Sequence, residues 1–301
     1  MNTLFMRGYT IWRDNLNICI PFVLMYLTRL IYSIMVFAGV TLVIGVDILN
    51  VISESMSELV AINEPQAQLT QIEAIMEIIA PFVDVFIVAG IVLVLGWGLI
   101  NAIFKSGAYA MIHKALQYNT TGIEDLKDSI RANALNMYIA DILKVLLIMA
   151  GIVLIVPGGV LLQLAETSTA VGVIGGMLFF IGIIAWSVAM IFISFALVEM
   201  DFILVAKRLN PFDAIKESYR FFIANRMDVL IMWLMLMSIG LVYSAIMNLF
   251  SAVPVVGAVA YIIDMLIATL LISPLFSIWW MRLYMDRSSG ELYMNELLKY
   301  P

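Results

Sequence analysis

The chain has 301 residues, 63% hydrophobic and only 13% charged, with a mean hydropathy of +1.04 and a formal net charge of -6. A soluble domain is about half apolar and about a quarter charged, so this composition excludes an ordinary water-soluble globule and leaves a bilayer as the solvent for the excess. One cysteine, Cys19, and one histidine, His113, exclude an internal disulfide, a cysteine-based zinc site and a His-pair metal motif.

In chain order, residues 2–15 carry Leu4, Phe5, Ile11 and Trp12 at spacings that line one interfacial face. The apolar run 16–46 is about twice the length of a signal-peptide core and has no small-x-small cleavage pattern, so it is read as a retained span. It is long enough to tilt. Residues 47–81 are rich in Glu, Ser, Gln and Asn and contain no Lys or Arg. Apolar spacing over 56–62 and 69–79 predicts short helices extending from the first two spans, broken near Pro65. Further spans are predicted over 82–104, 138–162, 171–198, 229–250 and 256–283, each meeting the roughly 20 apolar residues a crossing helix needs. Short links, 163–169 and 251–255, make tight hairpins of spans three and four and of spans five and six. Pro21, Pro157 and Pro274 mark kinks in spans one, three and six. Gly172 and Gly176 form a G-x-x-x-G that permits close helix approach. Trp12, Trp279 and Trp280 fall where an interfacial belt is expected, and the 21 methionines suit irregular gaps between helices.

Fourteen of the sixteen Lys and Arg residues fall on one side of these spans. They are Arg7 and Arg13, then Lys105, Lys114, Lys127 and Arg131, then Lys207, Arg208, Lys216, Arg220 and Arg226, and finally Arg282, Arg287 and Lys299. Arg29 and Lys144 lie inside predicted spans, and none lies on the opposite side. The positive-inside rule places both termini of a multi-pass cell-membrane protein in the cytoplasm. The Asn119-Thr120-Thr121 sequon would face the cytoplasm and stay unmodified.

The two long basic connections share a pattern. Thr121, Glu124, Lys127, Asp128, Ser129, Arg131 and Asn136 align with Asn210, Asp213, Lys216, Glu217, Ser218, Arg220 and Asn225 at an offset of 89 without a gap. Thr121 and Asn210 suit helix N-caps with an acid three residues on, and Pro211 suits a first helical position. Glu124/Lys127, Asp128/Arg131, Asp213/Lys216 and Glu217/Arg220 are acid–base pairs at i,i+3. Ile123, Leu126, Ile130 and Ala134 form one apolar face, and Phe212, Ile215, Tyr219, Phe222 and Ile223 form another. Both segments read as amphipathic helices lying on the membrane. Gly8, Tyr9 and Asn15 repeat the spacing of Ser218, Tyr219 and Asn225, a weaker third copy. The expected fold is all-α: a polytopic membrane protein with six transmembrane helices as three hairpins and amphipathic interfacial helices on the cytoplasmic side. It forms a single membrane domain, 1–301, of three units: 1–118, 119–209 and 210–301.

The stretch from Phe195-Ala-Leu-Val-Glu199 through Ala214-Ile-Lys-Glu-Ser-Tyr-Arg-Phe-Phe222 resembles the membrane domain found beside glycerophosphodiester phosphodiesterases, and related prokaryotic, archaeal-type multi-span families. The motif is short, and the six-span layout extends the resemblance to the whole chain. The resemblance implies a membrane module, because in those phosphodiesterases the chemistry belongs to a separate barrel domain. It carries over no catalytic residue.

No H-E-x-x-H, G-x-S-x-G or Walker A pattern occurs. No catalytic, cofactor-binding or metal-binding residue is assigned, and no cofactor is expected. Charges inside spans remain, and these default to functional hypotheses because they are costly in lipid. Arg29 and Asp264 fall at depths that could match and form a candidate pair. Asp141 and Lys144, one turn apart, form a candidate local pair. The reading that follows is an integral membrane protein acting as a non-catalytic module, a scaffold or accessory subunit. The alternatives are a transporter or lipid-handling permease using Arg29 and Asp264, and a membrane-embedded lipid enzyme using Glu199, Asp201 and Asp228. The expected partners are the lipid bilayer and a protein docking at the cytoplasmic face, with no nucleic acid.

Overall fold

The computed structural model describes residues 2–61, 64–164, 168–251, 254–288 and 292, and among these the regular structure is entirely helical. The α-helices are α1 (Asn2–Asp14), α2 (Cys19–Ile44), α3 (Val46–Ala61), α4 (Pro65–Ile79), α5 (Val83–Tyr118), α6 (Ile123–Ala150) and α7 (Val156–Gln163). They continue with α8 (Thr169–Ala196), α9 (Met200–Lys207), α10 (Pro211–Ala224), α11 (Arg226–Ser251), α12 (Pro254–Ile267) and α13 (Ser273–Arg287). Six helical stretches are long and apolar enough to cross a membrane: Leu16–Ile44, Gln66–Tyr118, Ile123–Leu154, Thr169–Lys207, Arg226–Phe250 and Val259–Arg287. In the most apolar part of the second no residue is buried, and in that of the sixth only 22% are. So much outward-facing apolar surface is what a bilayer covers and water does not.

Two of the expected prolines break their helices. Pro157 has no N–H for the Val153 carbonyl, and the chain passes through a 3₁₀ stretch, Gly151–Leu154, before α7 begins. Pro274 likewise leaves the Leu270 carbonyl without its i+4 donor, and a π-helical turn, Ala268–Ile272, precedes α13. Pro21 lies in the first turn of α2, where its missing N–H disturbs nothing.

The chain divides into two compact units, one of residues 25–100 and one of residues 1–24 with 101–301. In the smaller unit, α3 and α4 extend the spans as the sequence predicts, with the break before Pro65. Gly45, at φ 92, separates α2 from α3. Gln71 of α4 donates to Glu58 of α3 at 3.2 Å. Across the spans, Tyr32 donates to the Val92 carbonyl at 2.7 Å, and Trp97 to the Ser33 hydroxyl at 3.0 Å. Gly96 makes room for the Tyr32 ring, because a Cβ there would stand 2.2 Å from it.

In the larger unit the spans and their ends pack differently. The hairpin of α7 and α8 closes on glycines: a Cβ on Gly158 would meet the Phe179 backbone at 2.1 Å, and one on Gly182 the Leu154 carbonyl oxygen at 2.4 Å. Gly175 approaches the Leu162 backbone in the same way, whereas Gly176 faces open space. Gly175 and Gly182, two turns apart, carry close backbone contacts of this hairpin. The buried core lies mostly at one end of this unit, where α1, the ends of α5 and α13, the start of α6, α9 and α10 meet. Its centre is α9, whose Met200, Ile203 and Leu204 are wholly buried. The sequence reading ends span four before this helix, because its apolar run is too short to stand out.

Candidate functional site

The end where the core lies also gathers the buried polar side chains of the larger unit. Three helices lie there against the ends of spans. On α6, Ser129 donates to the Ser106 carbonyl of α5 at 2.7 Å, and Asn133 donates to Ser129 at 3.1 Å. On α10, Ser218 donates to the Ala196 carbonyl, the last residue of α8, at 2.8 Å. That carbonyl is one of the four a helix C-terminus leaves unpaired. On α1, the position matching Ser218 is Gly8, where a Cβ would stand 2.4 Å from the Trp279 ring of α13. Trp279 donates to the Phe5 carbonyl at 3.2 Å, and Trp12 to the Leu270 carbonyl that Pro274 leaves free, at 2.9 Å. Cys19 Sγ reaches the same oxygen at 3.1 Å.

At a shift of 210 residues, α1 and α10 bury the same positions. Leu4, Gly8 and Ile11 are buried, and so are Ala214, Ser218 and Phe221. Each helix then stops at an asparagine. Asn15 donates to the Ile11 carbonyl and Asn225 to the Phe221 carbonyl, both at 3.1 Å. Such a side-chain bond to the residue four back competes with helix continuation. α6 departs from this pattern: it runs through Asn136 without a break. Its buried face is Leu126, Ser129, Asn133, Met137 and Ala140. Of the apolar face expected to meet the membrane, Leu126 is buried in the protein and Ile123 is exposed. Phe212, Tyr219 and Ile223 of the second expected face are also exposed, while the small residues of α10 face the protein.

Caps and ion pairs follow the pattern in one copy only. Asn210 caps α10 by accepting from the Asp213 N–H at 2.9 Å. At α6 the capping residue is Gly122, not Thr121, and the acid that reaches back is Asp125, which accepts from the Gly122 N–H at 2.9 Å and from Thr121 Oγ1 at 3.1 Å. Asp213–Lys216 and Glu217–Arg220 stand at 3.9 Å. Glu124/Lys127 and Asp128/Arg131 form no pair within 4 Å among the described residues. Tighter clamps tie each helix to the preceding one: Lys114 to Asp125 at 2.7 Å, and Lys207 to Glu217 at 2.6 Å. Sequence spacing within one helix could not reveal these pairs.

A cluster of acids lies deeper at the same end. Glu199, in the turn before α9, is 1% exposed, and neither carboxyl oxygen has a hydrogen-bond partner. Asp201 meets Lys105 at 3.8 Å while its Oδ1 is buried and unpartnered. Asp141 shares the electrostatic surroundings of Asp201, Lys105 and Lys144. Lys144, one turn on, is among the charges that act on it, with no ion pair between the two within 4 Å among the described residues. Asp228 is engaged elsewhere, with Arg287 at 2.8 Å.

Arg29 and Asp264 fall in different compact units. Asp264 accepts a hydrogen bond from the Tyr243 hydroxyl of α11, within its own hairpin. It borders a cavity with Met247, Asn248, Gly257, Ala260 and Tyr261. Arg29 has a buried Nε without a hydrogen-bond partner.

A family model described as a domain of unknown function (DUF7847) matches residues 59–281, from within α3 into α13. No curated protein and no solved structure matches the chain. The resemblance to the membrane domain of glycerophosphodiester phosphodiesterases finds no support in these comparisons.

Proposed function

The chain belongs to this family of unknown function, and on its geometry we propose that it is a non-catalytic module of the cell membrane with both termini in the cytoplasm. In this reading it consists of three units, each a surface helix leading into a transmembrane hairpin. The surface helices offer a docking face to a cytosolic protein. The observation that carries it is the division of faces on α1 and α10. Each applies one narrow face to the protein, Leu4, Gly8 and Ile11 or Ala214, Ser218 and Phe221, and leaves large apolar groups uncovered, Met6 and Tyr9 on one and Phe212, Tyr219 and Ile223 on the other. Helices of that kind sink their apolar face into the headgroup boundary and turn their charges to water. The one-sided placement of Lys and Arg supports the orientation.

A cytosolic partner would meet the exposed charges of α10. The test is crosslinking and recovery of the full chain at native expression, beside a variant carrying Lys216→Glu and Arg220→Glu. The reading expects a reproducible partner with the parent chain that the variant loses. No reproducible partner with either chain, or equal recovery with both, overturns it.

A second reading, transport or lipid handling through intramembrane charge, is favoured by Arg29 alone, since Asp264 is held within its own hairpin. Unchanged flux and lipid distribution in reconstituted vesicles for Arg29→Ala removes its basis. The lipid-enzyme reading is weakened by Asp228, which is engaged with Arg287.

A further inference from the structure

A polar cavity of about 370 Å³ opens among α5, α6 and the end of α9, the lower part of the ~300–1,000 Å³ range of small-molecule sites. Its walls carry both signs of charge. Lys114 and Asp125 neutralise each other at 2.7 Å. Arg208 on one wall and Asp128 on another make no ion pair within 4 Å among the described residues. His113 adds a ring nitrogen, and buried Ser129 and Asn133 line the cavity. A purely anionic ligand would face Asp128, and a purely cationic one would face Arg208. A molecule with both charges satisfies both walls.

Arg208 has a second unusual property. It closes α9 in the left-handed region, at φ 52, with its N–H bonded to the Leu204 carbonyl. Glycine adopts that conformation without strain, whereas a residue with a side chain does not. An arginine thus lines the cavity at a position where glycine would be easier. Its planar donor fork matches phosphate oxygens, and a carboxylate such as Asp128 accepts from an ammonium group.

We infer that the cavity between α5, α6 and Arg208 binds a phosphoethanolamine-type zwitterion, its phosphate toward Arg208 and His113 and its ammonium toward Asp128. Two sources share this chemistry: the headgroup of an ethanolamine phospholipid and the free phosphoester. The lipid source rests on the proposed membrane-surface position of this end of the molecule; binding of the free compound does not.

The test is calorimetric titration of the full chain in detergent with O-phosphoethanolamine, beside Arg208→Gly and Asp128→Asn. Competition by dioleoylphosphatidylethanolamine, dioleoylphosphatidylcholine and dioleoylphosphatidylglycerol is measured in the same micelles. The inference expects saturable binding that each variant weakens about tenfold or more. Arg208→Gly should keep or raise the midpoint of thermal unfolding, since glycine suits φ 52, so lost binding is separable from lost fold. Competition by the ethanolamine lipid alone supports the headgroup as source. Binding of the free compound without lipid competition supports the site with a soluble ligand and counts only against the membrane position. No binding, binding untouched by both variants, or equal binding of inorganic phosphate with no effect of Asp128→Asn overturns the inference.

Discussion

Ser129 and Ser218 show how far a single residue type can be read. Their equivalence is visible as a matched position in two connections, and both are buried and donate to a backbone carbonyl of a preceding helix. The acceptors, Ser106 and Ala196, lie 23 and 22 residues upstream, and nothing in local spacing points to them. Removing either hydroxyl takes away one buried hydrogen bond, a loss of about 1 kcal/mol. Ser129→Ala and Ser218→Ala are each expected to lower stability by that amount in detergent unfolding, while Ser57→Ala, on an exposed helix face, leaves it unchanged. Glu199 runs the other way. A carboxyl group buried without partners is destabilising by about 1–3 kcal/mol, so Glu199→Met is expected to raise stability by about 1 kcal/mol or more. A fall instead would mean that the acid holds a partner essential to the fold. The acid was visible in the sequence as the end of a span; its burial was not, because that depends on α9 packing over it.

At the scale of elements, the sequence reading fared best where a local rule acts alone. The breaks at Pro65 and Pro157, the paired helices of residues 46–79 and the Asn210 cap are each set by neighbours along the chain. It fared worst where two elements choose a shared face. On α10 the apolar face expected to meet the membrane leaves Phe212, Tyr219 and Ile223 exposed, while the face packed on the protein, Pro211, Ala214, Ser218 and Phe221, is one that the sequence reading does not single out. The G-x-x-x-G of Gly172 and Gly176 does not point to Gly182, because only the partner helix decides which glycines are approached. Gly182→Val is therefore expected to destabilise by about 1–3 kcal/mol through overpacking against the Leu154 backbone. Gly176→Val, in open space, should change stability by less than about 0.5 kcal/mol. Thermal unfolding of both variants in one detergent compares them directly.

For the whole molecule, the six stretches long and apolar enough to cross a membrane were legible because length and hydropathy belong to each one separately. The location of the core was not legible. In the larger unit it sits where α1, α6, α9 and α10 meet the ends of the long apolar helices, whose middles face outward. Only tertiary pairing determines that, and one sequence carries no record of pairing. The close match of α1 with α10 follows the same logic: three spaced residues hinted at it, while the shared buried face and the two asparagine bonds make it specific. The proposed account places that core, with α1, α6 and α10, on the cytoplasmic side, and α3 and α4 outside. Cys19 is the sole cysteine, so Cys19→Ala gives a cysteine-free background in which exposed positions can be probed one at a time. A membrane-impermeant maleimide applied to intact cells should label Glu58→Cys on α3 and should reach Lys127→Cys and Lys216→Cys only after permeabilisation. Labelling of Lys127→Cys or Lys216→Cys in intact cells, with Glu58→Cys protected, would contradict the account.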